Sequence, residues 1–266
     1  MDVPVARDKI IARKDGAIGW VIFNNPEKRN AMSLEMYEAT AAAMEGYAKD
    51  PDIRLVILKG AGDKAFISGA DISQFKDRRS NPEQVKAAEA ISERCNAAIR
   101  DCPKPVIAMI RGYCMGGGLG LAVGCDLRIA SDDSRFGIPA AKLGVGYRYS
   151  GIRRLSELVG PSFTAEIFYT GRQFNAQEAL QMRLVNRVLP AAELEKYVMD
   201  YAATLTANAP LTIAAVKRSL IELRKDPANR DLALCQKMVE DCFASEDYKE
   251  GQKAFMEKRK PVFKGR

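Results

Sequence analysis

An α/β fold with a helical C-terminal region is what this sequence predicts, and three observations predict it. Short β-branched, apolar runs alternate with amphipathic stretches between Ala17 and Ala130. Two of those runs, residues 54–59 and 104–108, are apolar without alternation, as in strands covered on both faces. Beyond about Pro161 the spacing of apolar residues turns helical.

In chain order, residues 9–13 and 17–23 read as two strands about Asp15-Gly16, a hairpin turn pair. A polar loop, Asn24-Asn25-Pro26-Glu27-Lys28-Arg29-Asn30, comes next. Ser33 is a helix N-cap, because its hydroxyl can accept from a first-turn N–H. Behind it Leu34, Tyr37, Ala41, Met44 and Ala48 step by three and four along one apolar face, and Asp50-Pro51-Asp52 ends the helix. The strand at 54–59 turns through Gly60 to Lys64 into Ala65 to Ile72. Asn81-Pro82-Glu83-Gln84 joins a cap, a first-turn proline and a returning glutamine, and Val85, Ala88, Ile91, Cys95 and Ala98 supply the apolar face behind it.

After the strand at 104–108 comes Gly116-Gly117-Gly118 and an apolar helical run, Leu119 to Val123. Strand, glycine turn and helix start together aim unpaired backbone N–H groups at a ligand oxygen, or else make a tight turn in which glycine only relieves crowding. Residues 126–130 and 134–137 are further strands, 163–169 a helix, 175–178 a capped helix start and 184–188 a last strand. Leu194, Tyr197, Tyr201 and Leu205 share a helix face, and helices come after it within 211–224, 229–244 and 246–258.

Composition narrows the chemistry. The chain has 266 residues, 47% hydrophobic and 28% charged, enough for a full core. It contains no histidine, which removes the commonest general base and metal ligand together. Cys95, Cys102, Cys114, Cys125, Cys235 and Cys242 form no C-x-x-C pair, so reduced thiols in a cytoplasmic protein are expected, with no metal site. No apolar run approaches the roughly 20 residues of a membrane span, and the first residues lack the apolar centre of a signal peptide. The net charge of +7 suits an anionic partner. Its basic residues are spread out, without the aromatic-interleaved stripe of a nucleic-acid reader, so neither nucleic acid nor membrane is an expected partner.

Asn25 to Ala31, Lys64 to Ile72, Lys104 to Ala130 and Glu246 to Lys260 together resemble the signatures of the enoyl-CoA hydratase/isomerase (crotonase) family, in order and along nearly the whole chain. The resemblance implies a spiral of repeated ββα turns, an acyl-CoA-binding core over 1–195, and a helical region over 196–266 that builds a homotrimer or a dimer of trimers. It implies an acyl-CoA thioester as substrate and no permanently bound cofactor, coenzyme A arriving as part of the substrate. By matching position, the backbone N–H groups of Ala70 and Gly117 would form an oxyanion hole for the thioester carbonyl. Ser68, Asp71 and Ile72 would line the CoA path, and Phe255 and Lys258 would meet the CoA nucleotide, commonly that of a neighbouring subunit.

Two positions depart from the pattern. Hydratases of the family carry two glutamates that share one water; here those positions are Gly120 and Ala140. Positioned acid–base groups are worth roughly 10²–10⁴ in rate, so two-glutamate hydration is not expected. Leu143 to Ile152 also resembles the matching stretch of the family's methylmalonyl-CoA decarboxylases, which place a tyrosine where Tyr147 stands but a histidine where this chain has Ala70. Arg148, beside Tyr147, is a candidate partner for a second carboxylate on the substrate. Three readings stay open: an acyl-CoA enzyme with chemistry shifted from hydration, a malonyl-type decarboxylase, and an acyl-CoA-binding protein without catalysis.

Overall fold

The computed structural model describes residues 8–71 and 82–266. Among the described residues ten strands form two sheets, one of six strands in the order β1-β2-β3-β5-β7-β10 and one of four in the order β4-β6-β8-β9. β1 (Ile10–Asp15) and β2 (Ile18–Phe23) are the expected hairpin, antiparallel from Ile10 opposite Phe23 to Asp15 opposite Ile18. β2, β3 (Leu55–Gly60), β5 (Val106–Ile110), β7 (Leu127–Ser131) and β10 (Arg187–Leu189) then run parallel.

The second sheet grows out of the first, because three inner strands of the large sheet each hand the chain to a short strand of the small one. β3 leads to β4 (Ala65–Ile67), β5 to β6 (Tyr113–Met115) and β7 to β8 (Arg135–Gly137), and the three short strands pair parallel with one another. Helices close the turns: α1 (Leu34–Lys49) precedes β3, α2 (Pro82–Arg100) joins β4 to β5, and α3 (Gly117–Gly124) joins β6 to β7. This is a spiral of ββα turns. Its corners are tight. At Gly112, between β5 and β6, φ is +67°, and any β-carbon would run into the Lys64 carbonyl at the corner of the turn below.

One core cluster fills the inside of the spiral, with Phe23 edge-on to Phe66 and Met36, Met44 and Ile99 packed from α1 and α2. A second lies on the outer face of the large sheet, where α7 (Leu194–Ala207) lays Leu194, Val198 and Ala202 over Trp20, Ile57 and Ile107. This helix spans the expected 195/196 boundary. Beyond it α8 (Pro210–Leu223), α9 (Leu232–Ala244) and α10 (Glu246–Met256) form the helical C-terminal region. Lys217 on α8 anchors that region: 6% exposed, its Nζ donates to Asp126 Oδ2 at 2.8 Å and to the Lys104 carbonyl at 2.7 Å. The same Asp126 oxygen accepts from the Val106 N–H at the mouth of β5.

Several elements differ from the sequence reading. Residues 163–169 are only the end of a helix, α5, running Tyr149–Thr170. A kink at Gly160 (φ +80°) beside Pro161 divides it, which is why only the later half stood out. Between β8 and α5 lies a four-residue helix, α4 (Ala140–Leu143), and β9 (Phe174–Asn175) leads into α6 (Ala176–Gln181), whose Asn175–Glu178 capping box matches the expected helix start. The last strand sits at 187–189 instead of 184–188, because Leu184 and Val185 are buried in the main core ahead of it. The C-terminal helix stops at Met256, and Lys258 takes a left-handed φ of +54° beyond it. Among the described residues no helix is long and apolar enough to cross a membrane.

Candidate active site

The glycine stretch sits where the spiral geometry makes it useful. Gly116, at φ +52°, is the N-cap of α3, and Gly117 is its first helical residue. A first-turn N–H has no intrahelical acceptor. Beside it, β4 ends and the chain passes through Ser68 and Gly69 to Ala70. A β-carbon on Gly116 would touch the Gly69 α-carbon at 3.8 Å, and one on Gly69 would touch the Met115 carbonyl at the same distance. Ala70 and Gly117 therefore follow two paired parallel strands, β4 and β6, on loops that approach each other at Gly69 and Gly116. Among the described residues neither N–H is given to a backbone acceptor.

The Ala70 loop is held from the N-terminal side. Met32 and Ala70 form a parallel bridge, in which the Met32 N–H donates to Gly69 O and the Asp71 N–H to Met32 O, both at 2.8 Å. Ser68 N–H donates to Arg29 O at 3.1 Å and its hydroxyl to Lys28 O at 3.3 Å. Asp71 takes an ion pair from Lys28 Nζ at 2.9 Å. Fully buried Asn30 ties this loop to the spiral, donating to the carbonyls of Ala61 and Ala65 and accepting from Asn25 N–H. The polar Asn25–Asn30 stretch is thus a built clamp. Ile72 lies outside the described residues.

A cavity of about 250 Å³ opens beside Gly117 and is lined by Tyr37, Leu119, Gly120, Ile138, Tyr147 and Leu155, among others. The position at Gly120 is vacant: a β-carbon there meets nothing within 4 Å. Ala140, at the start of α4, is 6% exposed. Part of the lining is charged. Glu89 and Glu93 enter from α2, where Glu89 pairs with Arg148, and Glu93 lies 3.5 Å from Arg154 and 3.4 Å from Arg100. Burial, with the neighbouring Arg100 guanidinium, holds the Arg154 pKa below its ordinary value.

The sequence-derived candidates therefore divide. Gly117, Tyr147 and Arg148 share one cavity, whereas Ala70 is not among its lining residues and follows Gly69, which approaches the Gly116 turn. Tyr147 packs edge-on against Phe168 at 4.9 Å between centroids, and burial raises its pKa. Arg148 is already matched by Glu89. Phe255 is 84% exposed and lines a different, mostly apolar groove of about 780 Å³ among the C-terminal helices, with Val216, Leu220 and Phe243. Lys258 lies just beyond the end of α10. Sequence reasoning missed three cavity residues, Glu89, Glu93 and Arg154, and counted Tyr37 only as part of an apolar face. Tyr37 is 7% exposed, yet its hydroxyl lies where a β-carbon on Gly117 would be 2.6 Å away.

A family model described as enoyl-CoA hydratase/isomerase matches residues 13–266. The chain belongs to the enoyl-CoA hydratase/isomerase family. It is 32% identical over 253 residues to the short-chain-enoyl-CoA hydratase of Clostridium acetobutylicum, covering 95% of this chain and 96% of that protein. It is 33% identical over 261 residues to the crotonyl-CoA hydratase of Syntrophomonas wolfei, covering 97% and 99%. Among solved structures, an enoyl-CoA hydratase/carnithine racemase from Magnetospirillum magneticum matches with a TM-score of 0.91 and 37% identity, covering 97% of this chain and 96% of that one. A family protein from Hyphomonas neptunium matches at 0.92 and 33%, covering 97% and 98%. The crotonase-type spiral is the shared architecture.

Proposed function

We propose that this protein binds an acyl-CoA thioester and stabilises its enolate between the Ala70 and Gly117 N–H groups, without adding water through paired glutamates. The observation that carries the reading is the junction of the two loops at Gly69 and Gly116, opening on a cavity whose Gly120 position holds no side chain. Negative charge that grows on the thioester oxygen is met there by preorganised dipoles, each donor being worth roughly 3–4 kcal/mol in such sites. The positive N-terminal end of α3 adds to the same field.

On this reading Ser68 and Asp71 shape the entry for the CoA arm, and the Lys28 and Arg29 cations beside them favour its phosphates. The exposed apolar groove with Phe255 is the face on which a trimer would pack, carrying Phe255 and Lys258 toward a neighbour's CoA. Residues 1–195 would then hold substrate and 196–266 assemble the oligomer, in the cytoplasm.

The second reading, decarboxylation of a malonyl-type thioester, is favoured by one observation: Tyr147 and Arg148 line the cavity that adjoins Gly117. Loss of CO₂ gives the enolate directly and needs no activated water. For Arg148 to meet a substrate carboxylate, it would have to exchange it for Glu89.

Two assays test the main reading. Incubation with butyryl-CoA in D₂O should place deuterium on the α-carbon, read by mass spectrometry, because that exchange needs only the enolate. Crotonyl-CoA should be hydrated far below the roughly 1–10³ s⁻¹ of ordinary enzymes. Hydration at such rates would refute the claim about Gly120 and Ala140; binding without α-exchange would refute enolate stabilisation. Release of CO₂ from methylmalonyl-CoA, lost in Tyr147→Phe, would establish the second reading.

A further inference from the structure

We infer that the Tyr37 hydroxyl is the proton carrier for the α-carbon of the bound thioester, an inference that rests on the enolate reading above. Tyr37 reaches the cavity from α1, an element that contributes neither oxyanion donor. Its ring is buried in the main core, which fixes its direction. The hydroxyl lies against Gly117: a β-carbon placed there would be 2.6 Å from the oxygen but 4.0 Å from the ring carbon that bears it. The same cavity is lined by Gly117, Gly120 and Ile138, so a thioester held by the Gly117 N–H would bring its first acyl carbons near this hydroxyl.

Other protic groups line the same cavity, but none is placed against Gly117 as the Tyr37 hydroxyl is. The Tyr147 ring packs edge-on against Phe168, and Glu89 and Glu93 are paired with arginines. Positions 120 and 140 carry no ionisable group, and there is no histidine in the chain. A phenol is among the side chains that serve in general acid–base catalysis.

The step balances without a further reactant. The enolate double bond supplies the electron pair for the new C–H bond, the phenolic O–H breaks, and the oxyanion charge collapses into the thioester carbonyl. The phenolate left on Tyr37 recovers a proton from water. In the reverse direction the phenolate takes the α-proton, and the electrons return to the oxygen held by the two N–H groups.

Tyr37→Phe removes one oxygen and leaves the ring. With butyryl-CoA in D₂O, the wild-type protein should exchange one of the two α-hydrogens. The variant should bind butyryl-CoA within about threefold of wild type and exchange about 10²-fold more slowly. Its residual exchange should lose preference for one face, because no fixed group delivers the proton. Unchanged exchange, or slowed exchange that keeps the same single face, would overturn the inference while leaving enolate stabilisation standing. Binding without exchange in the wild type would overturn both together.

Discussion

Replacing Gly117 by alanine measures the distance on which the site depends. The new β-carbon would sit 2.6 Å from the Tyr37 oxygen, about 0.8 Å inside the 3.4 Å at which ordinary contact begins. Overpacking of this kind costs roughly 1–3 kcal/mol, because the Tyr37 ring is held by the core and cannot swing away. Against that, alanine in a helix is preferred to glycine by about 1 kcal/mol. Gly117→Ala alone should therefore destabilise the protein by about 0–2 kcal/mol. With Tyr37→Phe already in place, the nearest ring carbon is at 4.0 Å, an ordinary contact, and the same substitution should be neutral or slightly stabilising. Urea unfolding of wild type, the two single variants and the double variant gives the coupling directly, expected at about 1–3 kcal/mol. A coupling under about 0.3 kcal/mol, the scatter seen between independent sites, would show that the Tyr37 hydroxyl does not lie against Gly117.

Other positions give sharp outcomes too. Gly120→Ala, three residues along α3, meets open space and should stabilise by about 0.5–1 kcal/mol in the same unfolding assay; a loss of stability would mean the position is filled. Lys217→Met should cost roughly 1–2 kcal/mol, because the buried Lys217 ammonium loses its hydrogen bonds to Asp126, whose carboxylate is partly open to water, and to the Lys104 carbonyl; no loss of stability would show that these bonds do not hold α8 to the core. Burial, aided by the Asp50 carboxylate, pushes the Tyr47 pKa up to about 12 from an ordinary 10. The unfolded chain thus ionises first. Stability should hold below about pH 10 and fall as pH rises toward about 12, and in Tyr47→Phe the urea midpoint should show a smaller fall across that window.

How far the sequence was legible depended on length and on local chemistry. Residues 54–59 and 104–108 announced themselves because strands covered on both faces must be apolar throughout. The three-residue strands β4, β6 and β8 carry too few side chains for any period, and their pairing is visible only once the spiral stacks one turn on the next. α5 begins in a stretch of arginines and glycine and is broken at Gly160, so neither a cap nor a continuous face marked its start. In the site, Gly116, Gly117 and Gly118 were legible because three consecutive glycines mark a turn: Gly116 takes φ +52°, and β-carbons on Gly117 and Gly118 would crowd Tyr37 and Ile67. The charged wall was not. Glu89 and Glu93 look like the solvated face of an amphipathic helix until α5 and the segment before it bring Arg148 and Arg154 against them. Tyr37 was hidden by its own chemistry: spacing sorts residues by hydrophobicity, and a tyrosine buried in the core reads as apolar although its hydroxyl lies against Gly117.

The two proposed oxygen-binding groups are main-chain amides carried at the ends of neighbouring strands, and this bears on how such a chain can drift. Substituting the residue at 70 or 117 changes what surrounds the amide, but only proline deletes the amide itself. The grip on an oxygen is thereby inherited with the pairing of β4 and β6, not with any side chain. Carboxylates at positions such as 120 and 140 have no such protection, and one substitution erases each. A lineage built this way can lose one reaction and keep the means to begin another.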